Sequence, residues 1–147
     1  MGDAVPRSVA RPISIARRPI YAILLPVPIV CFIAVLLSGI AYLNSGGNLV
    51  WLDFSSWLLL FGLVFGLIAG IVLLVDLFRN RGMRVTAGWA HLLIFVAGWV
   101  VELLSMFVHQ RDGWTAVAGL GLVLSIIGAV LFLIAGWLRR SAVELVQ

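Results

Sequence analysis

Four apolar runs, each longer than 20 residues, constrain this chain more than any other feature of its sequence. They cover residues 19–43, 55–78, 85–108 and 114–138. A helix needs about 20 apolar residues to cross a hydrocarbon core, and membrane strands would instead alternate apolar and polar residues over short segments. The runs predict an all-α integral membrane four-helix bundle, with two tandem helical hairpins as a more specific hypothesis.

Composition supports a lipid environment and argues against nucleic-acid binding. Hydrophobic residues make up 63% of the chain, charged residues only 11%, and the mean hydropathy is +1.19. A soluble domain of this size needs more polar surface. All ten basic residues are arginines, and they cluster at the ends of apolar runs instead of forming one basic face. We therefore predict that the protein lies in the lipid bilayer and does not bind nucleic acid.

The arginines also predict the orientation. Four precede the first run, three separate the second from the third and two follow the fourth, whereas the other two loops hold only Arg111. By the positive-inside rule, both termini lie in the cytoplasm of a multi-pass protein in a bacterial inner membrane. The predicted parts are a basic cytoplasmic segment (1–18), a transmembrane domain (19–138) and a cytoplasmic tail (139–147).

The second and fourth runs align when shifted by 59 positions, and each carries small residues at every fourth position. These residues are Gly62, Gly66 and Gly70 in the second run, and Gly121, Ser125 and Ala129 in the fourth. In lipid, such stripes permit the close backbone approach on which helix association depends. We predict that these two helices make the tightest contacts, either within one bundle or across a dimer.

Glu102 lies inside the third run, in GWVVELLSMF. An unpaired charge at this depth costs about 2.5 kcal/mol or more, so the carboxyl group must be neutral, paired or beside water. Ser105 follows one turn later, Ser38 of the first run is predicted at similar depth, and Arg111 is near enough along the chain to approach. Two interpretations stay open: a proton-carrying or ligand-binding carboxyl group, and a polar contact that sets the helix register.

His91 lies eleven residues before Glu102 on the same predicted helix face, about 16 Å away at 1.5 Å per residue. His109, the second histidine of the chain, is eighteen residues from His91, too far for both to bind one haem. Bis-histidine ligation would therefore require a symmetric dimer that shares His91. The single cysteine, Cys31, offers neither a disulfide nor a thiolate metal site within one chain, and no metal site is predicted.

A polar and aromatic cluster is predicted on the periplasmic surface, formed by His109, Arg111, Asp112 and Trp114. It would be either a docking surface for a partner or a rim facing lipid headgroups. Asp53 is predicted to cap the second helix near its start. The sequence contains no nucleotide-binding loop, paired-histidine zinc motif or nucleophile elbow, so we predict that the chain is not an enzyme.

Several segments resemble a bacterial four-helix membrane family known as domain of unknown function 2231. They are RPIYAILLPVPI, VDLF, GWAHLL, HQRDGWT and LVLSIIGAVLFLIAGWL. The resemblance implies the four-helix fold from Arg18 to Leu138 but no established activity. Many members of that family open with histidines where this chain has Arg18, Tyr21 and Pro26, and of the family's histidines only His91 is present.

Three functional hypotheses follow. The leading one is a non-catalytic membrane subunit or anchor that associates with other membrane proteins or with itself. The second is a redox subunit that binds haem or quinone at the face of His91 and Glu102, although no cofactor is predicted outright. The third is a small transporter or proton pathway that uses Glu102.

Overall fold

The computed structural model describes residues 20–79, 86–111 and 117–144, and these residues are helical except for short turns. The helices are α1 (Ile20–Leu24), α2 (Pro26–Asn44), α3 (Leu49–Arg79), α4 (Thr86–Arg111) and α5 (Leu122–Glu144), with a π-helical turn at Val117–Gly121. Four candidate spans are long and apolar enough to cross a membrane: Ile20–Asn44, Leu49–Arg79, Gly88–Arg111 and Ala118–Arg139. The predicted all-α, four-span architecture is confirmed. The segment 1–18 lies outside the described residues.

The first span is interrupted at Leu25, which separates α1 from α2. Pro26 starts α2 and Pro28 follows within its first turn. Proline has no N–H to donate, and its ring clashes with the carbonyl one turn earlier, so the helical ladder is broken here. The Leu25 N–H still donates to the Tyr21 carbonyl at 2.9 Å, which keeps the two pieces in one span. The two prolines therefore account for the interruption of the first span.

The second span begins at Leu49, before the predicted start at 55, so the WLDF segment belongs to α3 and not to a loop. Gly46 and Gly47 have φ values of 70° and 89°, a left-handed conformation that glycine adopts without steric cost. Asn48 then accepts a hydrogen bond from the Val50 N–H at 3.0 Å. The prediction that Asp53 caps this helix is wrong, because the helix starts earlier and the Asn48 side chain caps it.

The four spans form an up-and-down bundle in which sequential helices are neighbours. The α2–α3 and α4–α5 hairpins pack most extensively, and the bundle closes through α3–α4 and α2–α5. Among the described helices, α3 and α5 are not a closely packed pair, because they lie on a diagonal. The prediction that these two helices make the tightest contacts within the bundle is wrong; their association across a dimer stays a prediction.

The small residues of α3 accept aromatic rings instead of another backbone. A Cβ atom added at Gly62 would lie 2.6 Å from a ring carbon of Phe32 on α2, and one at Gly66 would lie 2.9 Å from Trp99 on α4. Trp99 also donates its indole N–H to the Leu63 carbonyl at 3.0 Å. Glycine at these positions thus provides space for large side chains from both neighbouring helices. Gly70 likewise faces a ring of α4. Gly121 of the π-helical turn is buried, as are Ser125 and Ala129 of α5.

Candidate functional site

One face of α4 carries most of the buried polar side chains of the described chain. Along this face lie His91, Phe95, Gly98, Glu102, Ser105 and His109, spaced alternately by four and three residues. This spacing keeps them on the same side of a helix with 3.6 residues per turn. We call the end of the bundle with Ile20, Arg79 and Arg139 the terminal end, and the end with Asn44, Leu49 and Arg111 the opposite end.

Glu102 is fully buried, with 0% of its surface exposed. Neither carboxyl oxygen has a hydrogen-bond partner among the described residues. The side chain packs directly on Gly128 of α5, where an added Cβ atom would overlap the carboxyl group. An isolated buried carboxylate is strongly disfavoured, so this position requires a bound proton or another compensating cation. Arg111 is exposed and does not pair with Glu102.

A small hydrogen-bonded network lies between Glu102 and the opposite end. The hydroxyl groups of Ser105 on α4 and Ser125 on α5 are 3.3 Å apart, and the Ser105 hydroxyl is 3.4 Å from Nδ1 of His109. The same Nδ1 lies 2.8 Å from the Ser105 carbonyl, which can only accept, so Nδ1 carries the hydrogen. The second ring nitrogen, Nε2, is thereby left as the proton-accepting atom of His109. The sequence predicts only a helix-packing role for Ser125.

The predicted periplasmic surface cluster is wrong for His109, whose side chain is only 5% exposed and points into the bundle. Its interior position follows from the helical spacing that it shares with Glu102 and Ser105. Arg111 is exposed, while Asp112 and Trp114 lie outside the described residues. Ser38 is buried but donates its hydroxyl hydrogen to the Ala34 carbonyl of its own helix at 2.7 Å, so it does not bind Glu102.

A second polar cluster lies at the terminal end. The Tyr21 hydroxyl is 2.7 Å from Nε2 of His91, and the two rings meet edge to face with centroids 5.6 Å apart. The Arg139 guanidinium lies 5.4 Å from the centre of the Tyr21 ring. Nδ1 of His91 has no hydrogen-bond partner among the described residues. The cluster joins α1, α4 and α5, and no sequence pattern indicates that Tyr21 contacts His91.

Replacing Tyr21 by phenylalanine is expected to lower stability by about 1 kcal/mol, because Nε2 of His91 loses its partner while it remains buried. Thermal unfolding in mild detergent, followed by tryptophan fluorescence, measures the change. Ile23→Val, at a position that is 68% exposed, provides a neutral control nearby. Equal stability of Tyr21→Phe and the wild type would contradict a paired His91.

The geometry gives little support to a haem shared between two copies of His91. This side chain is 6% exposed and its Nε2 atom is occupied by Tyr21 of the same chain, so it does not face a neighbouring molecule. In the part of the chain that the structure describes, no three histidine, cysteine or acidic residues are grouped as metal ligands.

A shallow groove between α3 and α4 at the opposite end is lined by Asp53, Ser56, Trp57, Leu60, Met106 and Gln110.

The outer surface of the bundle is apolar on every span, while Glu102, His91 and His109 are enclosed. This arrangement defines a four-helix integral membrane protein with ionisable side chains in its interior. The chain belongs to the family described as predicted membrane protein, DUF2231, whose model matches residues 17–144. The resemblance noted in the sequence is thus confirmed. No curated protein and no solved structure matches the chain.

Proposed function

We propose that this membrane protein binds and releases a proton at Glu102, as a proton-carrying subunit without catalytic activity of its own. The observation that carries the proposal is the fully buried carboxyl group with no hydrogen-bond partner among the described residues. Buried ionisable groups in membrane spans are costly, and they commonly mark ion pathways or proton relays. A group that only fixed the helix register would be expected to have a polar partner across the interface.

A proton is favoured over a metal ion by the surroundings of Glu102. The carboxyl group packs against Gly128, and no described acidic, histidine or cysteine side chains join it to form a metal site. Protonation neutralises a carboxylate without requiring further ligands. To reach or leave the carboxyl group, a proton needs only a hydrogen-bonding group nearby. The Ser105 hydroxyl, one turn away on α4, is such a group.

The route for this proton runs to the opposite end of the bundle. Ser105 is one turn from Glu102, and its hydroxyl group approaches both Ser125 and His109. Hydroxyl groups donate and accept at once, and a side-chain rotation or one bridging water connects groups one turn apart. Under the orientation predicted from the arginines, this end faces the periplasm. We infer that Glu102 exchanges its proton with that side.

Association with other membrane proteins, or with a second copy, stays part of the proposal. Each span exposes large apolar side chains, such as Leu93 (67%) and Phe107 (64%) on α4, and lipid or a partner helix can cover them equally well. Because Glu102 faces inward, its proton site does not depend on which of the two covers the outer surface. The mass of the complex in mild detergent tests this part separately.

A hydrophobic carbodiimide tests the proton site, since it adds covalently to protonated carboxyl groups in apolar surroundings. We expect it to modify Glu102 in the purified protein and to leave Asp53, which is exposed, unmodified. Peptide mass mapping locates the adduct. Glu102→Gln is the matched control and is expected to abolish it. In infrared spectra, the band of a protonated carboxyl group should be present in the wild type and absent from this variant. The absence of both signals from Glu102 in the folded wild type would refute the proposal.

A further inference from the structure

Three phenylalanines fill the bundle between Glu102 and the terminal end. Phe32 of α2 and Phe132 of α5 have ring centroids 4.7 Å apart, and Phe132 and Phe95 of α4 are 5.2 Å apart. None of the three is more than 2% exposed. We call these three side chains the aromatic layer. They form a contact chain across three different helices, so the layer spans the interior of the bundle.

The position of the layer along the membrane follows from α4. Between His91 and Glu102, the buried positions of this helix are Leu92, Phe95 and Gly98. Gly98 provides the space for Phe132, since an added Cβ atom there would lie 3.1 Å from its ring. The layer continues through Phe95 to Tyr21, whose ring centroid is 6.0 Å away. Apolar side chains therefore separate the two polar clusters of α4.

We propose that Tyr21 and His91 form a second proton-exchange site, at the terminal end, and that the aromatic layer is the barrier that keeps it from exchanging protons with Glu102. This inference rests on the proposed function of Glu102 and adds a second site on the other side of the membrane. It also assigns a role to Phe32, Phe95 and Phe132. Their tight packing excludes the water that proton transfer between the clusters would need.

The chemistry of the second site follows from its hydrogen bond. In the neutral pair, the Tyr21 hydroxyl and Nε2 of His91 share one hydrogen bond, in which the hydroxyl donates when the ring hydrogen is on Nδ1. When a proton arrives at Nε2, the ring donates instead and the phenol oxygen accepts, so no covalent bond other than O–H or N–H changes. Arg139 of α5 faces the Tyr21 ring, and a second positive charge beside it is unfavourable. Asp76 of α3 is also near this end, with Oδ2 unpartnered among the described residues. The positive charge of Arg139 favours release of the proton, whereas the acidic side chain of Asp76 favours its uptake, so the surroundings support both steps of an exchange.

Opening the aromatic layer tests the proposal. In proteoliposomes with an imposed potassium diffusion potential and an internal pH-sensitive dye, Phe132→Ala is expected to raise proton flux by about tenfold or more. The lost ring opens a space one turn from Gly128, on which Glu102 packs, and the unpartnered oxygens of that carboxyl group can bind the water that enters. Phe107→Ala is the matched control: the same residues are exchanged, but at a position that is 64% exposed to the outside of the bundle. It is expected to leave the flux at the wild-type level. Carbodiimide labelling of Glu102 in Phe132→Ala verifies that the opened protein is folded.

Two double variants separate the parts of the inference. Phe132→Ala with Glu102→Gln, and Phe132→Ala with His91→Gln, are both expected to return the flux to background. If Phe132→Ala, folded and labelled at Glu102, shows no increased flux, the barrier is refuted while the proton site at Glu102 stands. If His91→Gln leaves the increased flux unchanged, the second site is refuted. If Glu102 is unlabelled in every protein, the proposed function itself fails.

Discussion

Replacing Glu102 by methionine is expected to stabilise the protein by about 1–3 kcal/mol, the cost of a buried polar group without a partner. Methionine has a similar volume, and its flexible chain fits the space beside Gly128 with little strain. In the unfolded state in SDS the glutamate reaches water, whereas in the bundle its two oxygens lack partners among the described residues. The variant is also expected to lose carbodiimide labelling. Stability would thus rise where function is lost, as at many functional sites.

Unfolding by SDS, titrated into mild detergent and followed by tryptophan fluorescence, measures this stability change. Leu103→Met is the matched control, because Leu103 is the next residue on α4, is partly buried and is apolar. It is expected to change stability by less than about 1.5 kcal/mol. A destabilised Glu102→Met variant would instead favour the other interpretation of the sequence, in which Glu102 is a structural contact that fixes helix register.

Gly62→Val is expected to destabilise the bundle by about 3 kcal/mol, at the upper end of the usual cost of overpacking. The first added carbon would lie 2.6 Å from a ring carbon of Phe32 and 3.1 Å from Cβ of Cys31. Phe32 cannot withdraw, because it is fully buried and Phe132 lies against its ring at 4.7 Å. The substitution therefore forces α2 and α3 apart, and these helices form one of the two closest pairs of the bundle.

Thermal unfolding in detergent measures the effect, and a second substitution identifies its cause. Combining Gly62→Val with Phe32→Leu is expected to recover part of the lost stability, because the smaller side chain leaves space for the valine. Val64→Ala, on the same helix at a position that is 47% exposed, should change stability by less than about 0.5 kcal/mol. Unchanged stability of Gly62→Val would mean that α2 and α3 do not approach as closely as described.

Much of the candidate site could be predicted from sequence, since it lies on one helix. His91, Glu102 and His109 are spaced by eleven and seven residues, so a single helical period places them on the same face. The polar partners from other helices could not be predicted in the same way. Tyr21 and Ser125 approach α4 only through the packing of the bundle, and neither residue differs in sequence from an ordinary interfacial tyrosine or packing serine.

The errors have a common physical origin. A stripe of small residues shows where a large side chain or another helix backbone can pack. It does not specify which neighbouring helix provides that side chain or backbone. The sequence predicts that the stripe of α3 packs against α5, whereas Phe32 of α2 and Trp99 of α4 occupy it. Similarly, the position of His109 near the end of an apolar run predicts a surface location, whereas its helical face directs the side chain inward.

The sequence by itself determined the number of spans, their helical structure and the interruption near Pro26, because lipid leaves backbone groups no other partners and proline cannot donate a hydrogen bond. It also determined that His91, Glu102 and His109 share one face of α4. Only the tertiary structure decided which groups of the other helices contact that face. Gly128 contacts the Glu102 carboxyl group, Phe132 of the aromatic layer packs on Phe95, and the Tyr21 hydroxyl bonds to His91. The reason is that helices in lipid associate through close packing and a few hydrogen bonds between them, and both depend on which side chains meet once the helices are packed together.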